Sequence, residues 1–599
     1  MLRVDPRVLD AVLSDRKTLD TLMPKLNPML IPPRNWSTFD DGGYLTVRNS
    51  IVRSHGSHLQ SDAVRGANLS RVFDGVNYLG STAWTIYPEV WSVIQSLWAQ
   101  GGGVADLPPR KDKPMPPVPA KGDIEARRLY ESVRLYNGSL HSQRCDLEYK
   151  FRACEQYVGR RIFYPYFLDF RGRAYPIPPY LNHTGGDLSR GLLKFHSGVA
   201  LGERGLFWML VQCANLWGQG VDKLAFPQRQ SWTESQIDLI RRSAEDPLKE
   251  RWWLQAEKPF QFLGACIELL KALRSPNPAQ FVSTLPVHTD GSCNGLQHYA
   301  ALGRDAWGGS CVNLTLSDRP QDVYSRVLDV VKQRLASDAS NLSHARSRTA
   351  AKLLAAGLTR KIVKQSVMTS VYGVTIIGAK DQIFARLQER ADIVEAFRPT
   401  DAMGEDDLRS AALYLAQLTL SSLFDAFAGA RRIQEWLGDC AVRMASVQQP
   451  VSWVTPLGLP VIQPYRHANQ YRIQTAMQTV VIVDHNDLLP VSSVRQKSAF
   501  PPNFIHSLDA SHMLMTASAC KRQGLTFASV HDSFWTHAGS MDGLSQALRQ
   551  EFVALYSQPI LEQVRESWVQ RFPEINLQPL PARGTLDVAE VLKSPYFFS

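Results

Sequence analysis

VHTDGSCNGLQHYAALGRD, residues 287–305, and SVHDSFWTHAG, residues 529–539, each place one aspartate where an apolar, β-favouring run turns. Val287 and Thr289 lead up to Asp290, while Val530 precedes Asp532 and Phe534 and Trp535 follow it. Runs of β-branched and aromatic residues bounded by Gly, Ser and Asp read as strands, so both segments predict β structure, most economically in one shared small sheet. Such a sheet would unite two carboxylates that lie far apart along the chain. Two are enough for Mg²⁺, a hard cation that takes oxygen ligands, keeps several waters and is completed by substrate phosphates. Asp290 and Asp532 are therefore a candidate metal site, the minimum equipment for two-metal nucleotidyl transfer.

Between them lies LTRKIVKQSVMTSVYG, residues 358–373. Arg360, Lys364, Met368 and Tyr372 recur every fourth residue, so on a helix they form one stripe, ended by Gly373. Two cations a turn apart suit a triphosphate, with Met368 and Tyr372 placed to meet a base and sugar. Taken alone, the stripe also reads as an amphipathic surface helix whose Arg and Lys snorkel. DFRGRAYPIPP, residues 169–179, sets Arg171 and Arg173 on either side of Gly172. Arginines held so rigidly can clamp phosphates, or pair structurally with Asp169. PPNFIHSLDASHMLMTASACKRQG, residues 501–524, predicts a helix that starts after its two prolines, stops at Gly524 and carries His506, Asp509, Ala510 and Met513 on one face. A lone histidine there reads as structural, but this helix leads directly into the Asp532 hairpin.

A chain of 599 residues exceeds what one core usually organises and predicts two to four subdomains. Sixty-six Lys and Arg against 56 Asp and Glu leave a net charge of +10, the modest excess of a polyanion-binding surface. Eight cysteines without a C-x-x-C pair argue against both a disulfide framework and a zinc site. GLFWMLVQCANLW, residues 205–217, is too short to span a bilayer and predicts a buried helix, so no membrane span is expected. The first twenty residues carry neither a Ser/Arg-rich presequence nor an apolar secretory core, and no address is read from them. Gly, Pro and Lys crowd residues 101–123, predicting a linker or exposed loop. The charged segment behind it predicts a two-helix projection or a solvated hairpin. From Phe163 onward strands and long helical periods alternate, giving a mixed α/β chain.

Together these motifs resemble the single-subunit, bacteriophage-type DNA-directed RNA polymerases, most closely their mitochondrial branch. The resemblance runs from PMLIPPRNW through DFRGRAYP, TDGSCNGLQHYAALGRD, QDVYSRV, TRKIVKQSVMTSVYG, WVTPLGLPVIQPY, PPNFIHSLDASHM and SVHDSFWTHA to the terminal YFFS. It implies a helix-rich, mixed α+β right-hand polymerase with palm, fingers and thumb around a small antiparallel palm sheet. Residues 1–103 would be a remnant N-terminal region and lead-in, 104–160 the thumb, 161–318 and 507–599 the palm with its C-terminal tail, and 319–506 the fingers. It further implies that Asp290 and Asp532 hold two Mg²⁺ ions with a carbonyl from Gly291. Lys364 would serve as proton donor to leaving pyrophosphate. Arg173, Tyr324, Arg360, Met368, Tyr372 and His506 would line the nucleotide site, His506 near the 2′-hydroxyl, with Arg171, Gly295, Gly373 and His531 in support. The implied partners are a DNA template, an RNA product, ribonucleoside triphosphates and accessory initiation factors. The implied state is a monomer in the mitochondrion, off the membrane.

Two rivals share parts of this pattern. A related-family DNA polymerase would carry a glutamate five residues after the first aspartate, HDE in the second motif and an aromatic four residues after the helix lysine. Here those places hold Gly295, Ser533 and Met368, and all three departures point to ribonucleotides. A non-catalytic nucleic-acid-binding relic would have lost Asp290, Asp532 or Lys364, and all are present. The segment at about 470–500 occupies the place of the family's promoter-reading hairpin, yet residues 477–490 include no Lys or Arg, limiting charge-assisted readout of guanine. Promoter initiation is accordingly expected to need accessory factors or sequence beyond this N-terminus.

Overall fold

Antiparallel pairing joins Pro286–Asp290 to Ser533–His537, with Ser533 opposite Asp290 and His537 opposite Pro286. Ala528–Val530 completes the three-stranded sheet on the other side of Ser533–His537. The predicted shared sheet is therefore real, and both of its faces are covered. Phe534 packs beneath Phe527 and Phe598, while Trp535 stacks on His288 and meets Trp84 and His183 edge-on. This computed structural model describes residues 26–599 apart from 55–56, 121, 342, 344–345, 372, 398–407, 468–469, 475–478 and 484–486.

Helices dominate the remainder, which makes the chain a helix-rich α+β protein with small sheets. The Ser493–Gln523 helix is its spine, packed against Ala428–Ser446, Ser70–Ser81, Met541–Tyr556 and Asn294–Gly303. It starts eight residues before Pro501, so the two prolines lie inside it and not at its head as the sequence predicts. An interior proline costs about 3 kcal/mol. Phe500 and Phe504, buried against Trp453 and Trp568, offset this, since burying such a side chain is worth about 1.5–3 kcal/mol. Pro502 also denies the Ser498 carbonyl its helical donor, and that carbonyl faces Gly373, where an added Cβ would come within 3.3 Å. Gly373 has φ +76°, so close approach and left-handed backbone both call for glycine.

The charged segment after the proline-rich stretch is a single 34-residue helix, Ile124–Tyr157, instead of two. Val133, Leu140, Leu147 and Cys154 repeat every seven residues and are all buried, so one apolar seam carries the helix straight through Gly138. The described residues of 101–123 form no helix or strand and are mostly exposed, the expected loop, tethered where the Asn137 side chain bonds both the N–H and the carbonyl of Lys113, each at 2.9 Å. Gly205–Trp217 is the expected buried helix. Among the described residues no single helix is long and apolar enough to cross a membrane. All eight cysteines are free, and only Cys145 is exposed.

Candidate active site

Val530 pairs with Ser533, so His531 and Asp532 form the two-residue turn of the hairpin. His531 adopts φ 55°, a left-handed conformation that a side chain rarely takes and that costs of order 1–3 kcal/mol. Such strain persists only where the surroundings impose it; here Tyr175 meets the His531 ring edge-on at 5.0 Å. The Gly291 N–H donates to the Asp532 carbonyl at 3.1 Å, so the sheet ends with the two aspartates side by side. Asp290 is exposed, and Asp532 keeps part of its surface open. Burial, Asp509 and Asp290 together raise the Asp532 carboxyl to about 6 against the pull of Arg173. A carboxyl so reluctant to ionise marks a place short of positive charge, which suits a divalent cation. Among the described residues no set of three or more His, Cys, Asp and Glu side chains forms a cage, so Mg²⁺ would draw further oxygens from water and phosphate.

Below this pair the Asp169–Arg173 turn meets the spine helix. Asp169 accepts the backbone N–H groups of Arg171 and Arg173 through Oδ1 and the Arg171 guanidinium through Oδ2. The two arginines diverge from there. Arg171 pairs with Asp169, as its structural reading held, and also donates from Nη1 to His506 Nδ1 at 2.7 Å. Arg173 reaches Asp509, donating from Nε at 3.0 Å and Nη2 at 2.7 Å. Asp509 accepts a third bond from Asn294 Nδ2 at 2.5 Å. Burial and the flanking Arg173 and Arg171 hold His506 down at about 2, so its ring is neutral. An arginine can only donate, hence Nδ1 is the acceptor and the proton of His506 sits on Nε2, a donor suited to a hydroxyl oxygen.

The stripe predicted on residues 360–372 lies on the Arg360–Ser370 helix. Arg360 donates from Nε to Asp322 Oδ2 at 2.6 Å and its guanidinium lies 4.9 Å from the Tyr324 ring centre. Tyr324 is buried and hydrogen-bonded to the Cys293 side chain, which ties this helix to the Asp290 loop. Lys364 and Met368 are exposed on the same face. Burial and then the Arg360 and Lys223 charges lower the Lys364 ammonium, with Glu257 and Asp222 opposing. Tyr372 lies outside the described residues.

Gly295 is buried in the first turn of the Asn294–Gly303 helix, next along the chain to the Asp290 strand. Three participants escaped the sequence reading. Asn294, inside the quoted motif, holds Asp509; Asp322 caps the Val323–Ser340 helix and binds Arg360. An aspartate two residues before Tyr324 was a legible capping signal. Lys223 sits on a short 3₁₀ turn, Val221–Lys223, and no spacing in the chain links it to Lys364.

A family profile described as DNA-dependent RNA polymerase matches residues 199–576, and one described as DNA-directed RNA polymerase N-terminal matches residues 1–81. The chain is 46% identical over 612 residues to DNA-directed RNA polymerase 1B, mitochondrial, of Nicotiana tabacum, a match covering 100% of this chain and 59% of that protein. It is 47% identical over 585 residues to DNA-directed RNA polymerase 2, chloroplastic/mitochondrial, of Arabidopsis thaliana, covering 96% of this chain and 56% of the relative. The chain thus spans somewhat over half the length of these relatives. Among solved structures, the POL domain of Pol1 from M. smegmatis in complex with DNA primer-template and dNTP aligns with a TM-score of 0.37 and 13% identity, covering 84% of this chain and 68% of that one.

Proposed function

Because the chain belongs to the single-subunit, bacteriophage-type DNA-dependent RNA polymerase family, we propose that it is a template-directed RNA polymerase. Its substrates are ribonucleoside triphosphates and a DNA template, and each step extends RNA by one nucleotide with release of pyrophosphate. The observation that carries this reading is the register that sets Asp290 opposite Ser533 and leaves Asp532 beside it at the sheet end.

Asp290 and Asp532, with the Gly291 carbonyl, are the residues to hold two Mg²⁺ ions. Bound there, Mg²⁺ supplies neutralisation of the phosphates and acidification of the primer 3′-hydroxyl. The chain's own groups do the rest. Lys364, flanked by Arg360 and Lys223, offers cations to the triphosphate and a proton to the leaving pyrophosphate. The Nε2–H of His506, oriented by Arg171, is placed to donate to a ribose hydroxyl. Arg173, fixed by Asp509, contributes positive potential beside Asp532. Gly295, Ser533 and Met368 stand where a deoxyribonucleotide enzyme would differ, which favours ribonucleotides.

In this reading the Ile124–Tyr157 helix belongs to the thumb, the Asp290–Asp532 sheet to the palm and the Arg360–Ser370 helix to the fingers. The site of action is an organelle, with the mitochondrion our specific choice. The chain works as a monomer and takes accessory factors for promoter initiation. Extension of an RNA primer on a DNA template with Mg²⁺ tests the core of this. The expected result is strong preference for rNTPs over dNTPs, and loss of synthesis with retained template binding in Asp532→Asn. Comparable use of dNTPs, or synthesis by Asp532→Asn, refutes it.

A further inference from the structure

Asp487 follows the hairpin formed by Gln470–Gln474 and Thr479–Val483, yet its carboxylate is engaged by the N-terminal part of the chain. Its Oδ2 accepts the backbone N–H groups of His58 at 2.8 Å and Leu59 at 3.1 Å, and its Oδ1 accepts the Ser57 hydroxyl at 3.2 Å. The two N–H groups belong to the first turn of the His58–Arg65 helix, where no intrahelical acceptor exists. Ser57 already caps that helix by accepting the Gln60 N–H. The same helix end is therefore capped twice, once locally and once by a residue 429 positions from His58.

The helix is itself bolted down. Buried Gln60 donates from Nε2 to the Pro460 carbonyl at 2.9 Å and accepts the Ile462 N–H through Oε1 at 2.6 Å, so its amide adds to the edge of the Pro460–Ile462 strand. The hairpin is gripped at its base, where the His467 N–H donates to the Pro490 carbonyl and the Val491 N–H to Gln448 Oε1. Further out, Ile473 and Val481 are exposed. Asp487 thus joins the chain just past this partly exposed hairpin to a fixed helix with charge-assisted bonds, which are about twice as strong as neutral ones.

We propose that Asp487 is a positioning residue, a latch through which the His58–Arg65 helix sets the placement of the 470–483 hairpin on template DNA. The latch stands on the bonds just given; its consequence for DNA rests on the proposed polymerase activity. In full-length Asp487→Ala, amide exchange in the 470–483 hairpin and in the first turn of the helix is expected to accelerate about tenfold or more. Adding Ser57→Asp supplies a charged local cap, favourable at the helix N-terminus, without the tether. The helix should then regain protection while the hairpin stays fast. Primer extension on a pre-annealed scaffold should be unchanged, whereas the 5′ ends of RNA begun on a pre-melted template should spread over more positions. Unchanged hairpin exchange in Asp487→Ala, hairpin recovery on adding Ser57→Asp, or unchanged 5′ ends would overturn the proposal. Failure of the wild-type chain to extend a primer would instead defeat the polymerase reading, and the exchange data would still judge the latch.

Discussion

The Arg173–Asp509 pair carries a prediction whose size follows from its surroundings. The Asp509 side chain is 3% exposed and that of Arg173 is 14% exposed. Burial is the largest single influence and would raise the Asp509 carboxyl, but the groups facing it, Arg173 foremost, together bring it from 3.8 to about 2. That drop is worth roughly 2 kcal/mol of stability. Because the folded value lies below the unfolded one, the contribution is complete above about pH 5 and is lost as pH falls through 4 towards 2. Removing either partner strands a buried charge, so Arg173→Met and Asp509→Leu should each cost about 3–5 kcal/mol. The double variant should cost less than the two singles together by roughly 2 kcal/mol or more. Hydrogen exchange along the Ser493–Gln523 helix is the assay, since it reports the opening of that element and not of a chain with several subdomains. The gap between wild type and Arg173→Met should narrow from pH 8 to pH 5, because the stranded Asp509, raised by burial, takes up a proton. For Asp509→Leu the gap should stay level over that range. Additive single effects, or a gap that widens towards pH 5 in Arg173→Met, would refute the reasoning.

Other perturbations address the cationic helix and the sugar. Lys364→Ala should lower kcat by about 10²–10⁴, the usual worth of a positioned acid, and remove an alkaline limb that lies below the ordinary lysine range because burial and Arg360 lower the ammonium. The pH dependence of single-nucleotide incorporation checks both. Asp322→Asn releases Arg360 from its 2.6 Å ion pair and should raise the KM for nucleotide about fivefold with little change in kcat, read by steady-state extension. Gly295→Glu places a carboxylate on the first turn beside the Asp290 strand. It should reduce the ratio of rNTP to dNTP incorporation by about tenfold or more, and an unchanged ratio would remove Gly295 from sugar selection.

Much of this was legible because the chemistry is local in sequence. The strands around Asp290 and Asp532 declare themselves by β-branched and aromatic residues, and the Arg360 stripe by a four-residue period that one helix must bring to one face. The long helices were harder for a physical reason. Pro501 and Pro502 break a helix by every local rule, and only the burial of Phe500 and Phe504 under Trp453 and Trp568 overrides them. The charged segment after residue 123 predicted two helices or a hairpin, and a seven-residue seam of buried side chains instead carries one helix straight through Gly138. Asn294, Asp322 and Lys223 matter through partners distant in the chain, and pairings of that kind leave no mark on spacing.

The same long-range pairing bears on the proposed cation site through Asp532. Arg173 is close enough to draw the Asp532 carboxyl down, and a guanidinium free to swing would neutralise it directly. Its Nε and Nη2 are instead held on Asp509, and Asp509 is held in turn by Asn294. Asp509 then acts on Asp532 twice, by restraining Arg173, a positive group that acts on it, and by adding its own negative charge. The result is an Asp532 carboxyl left under-neutralised by its own protein. A divalent ion arriving with its phosphate ligands would meet negative charge on Asp532 that Arg173 offsets only in part, which is the condition a transient, substrate-borne Mg²⁺ requires.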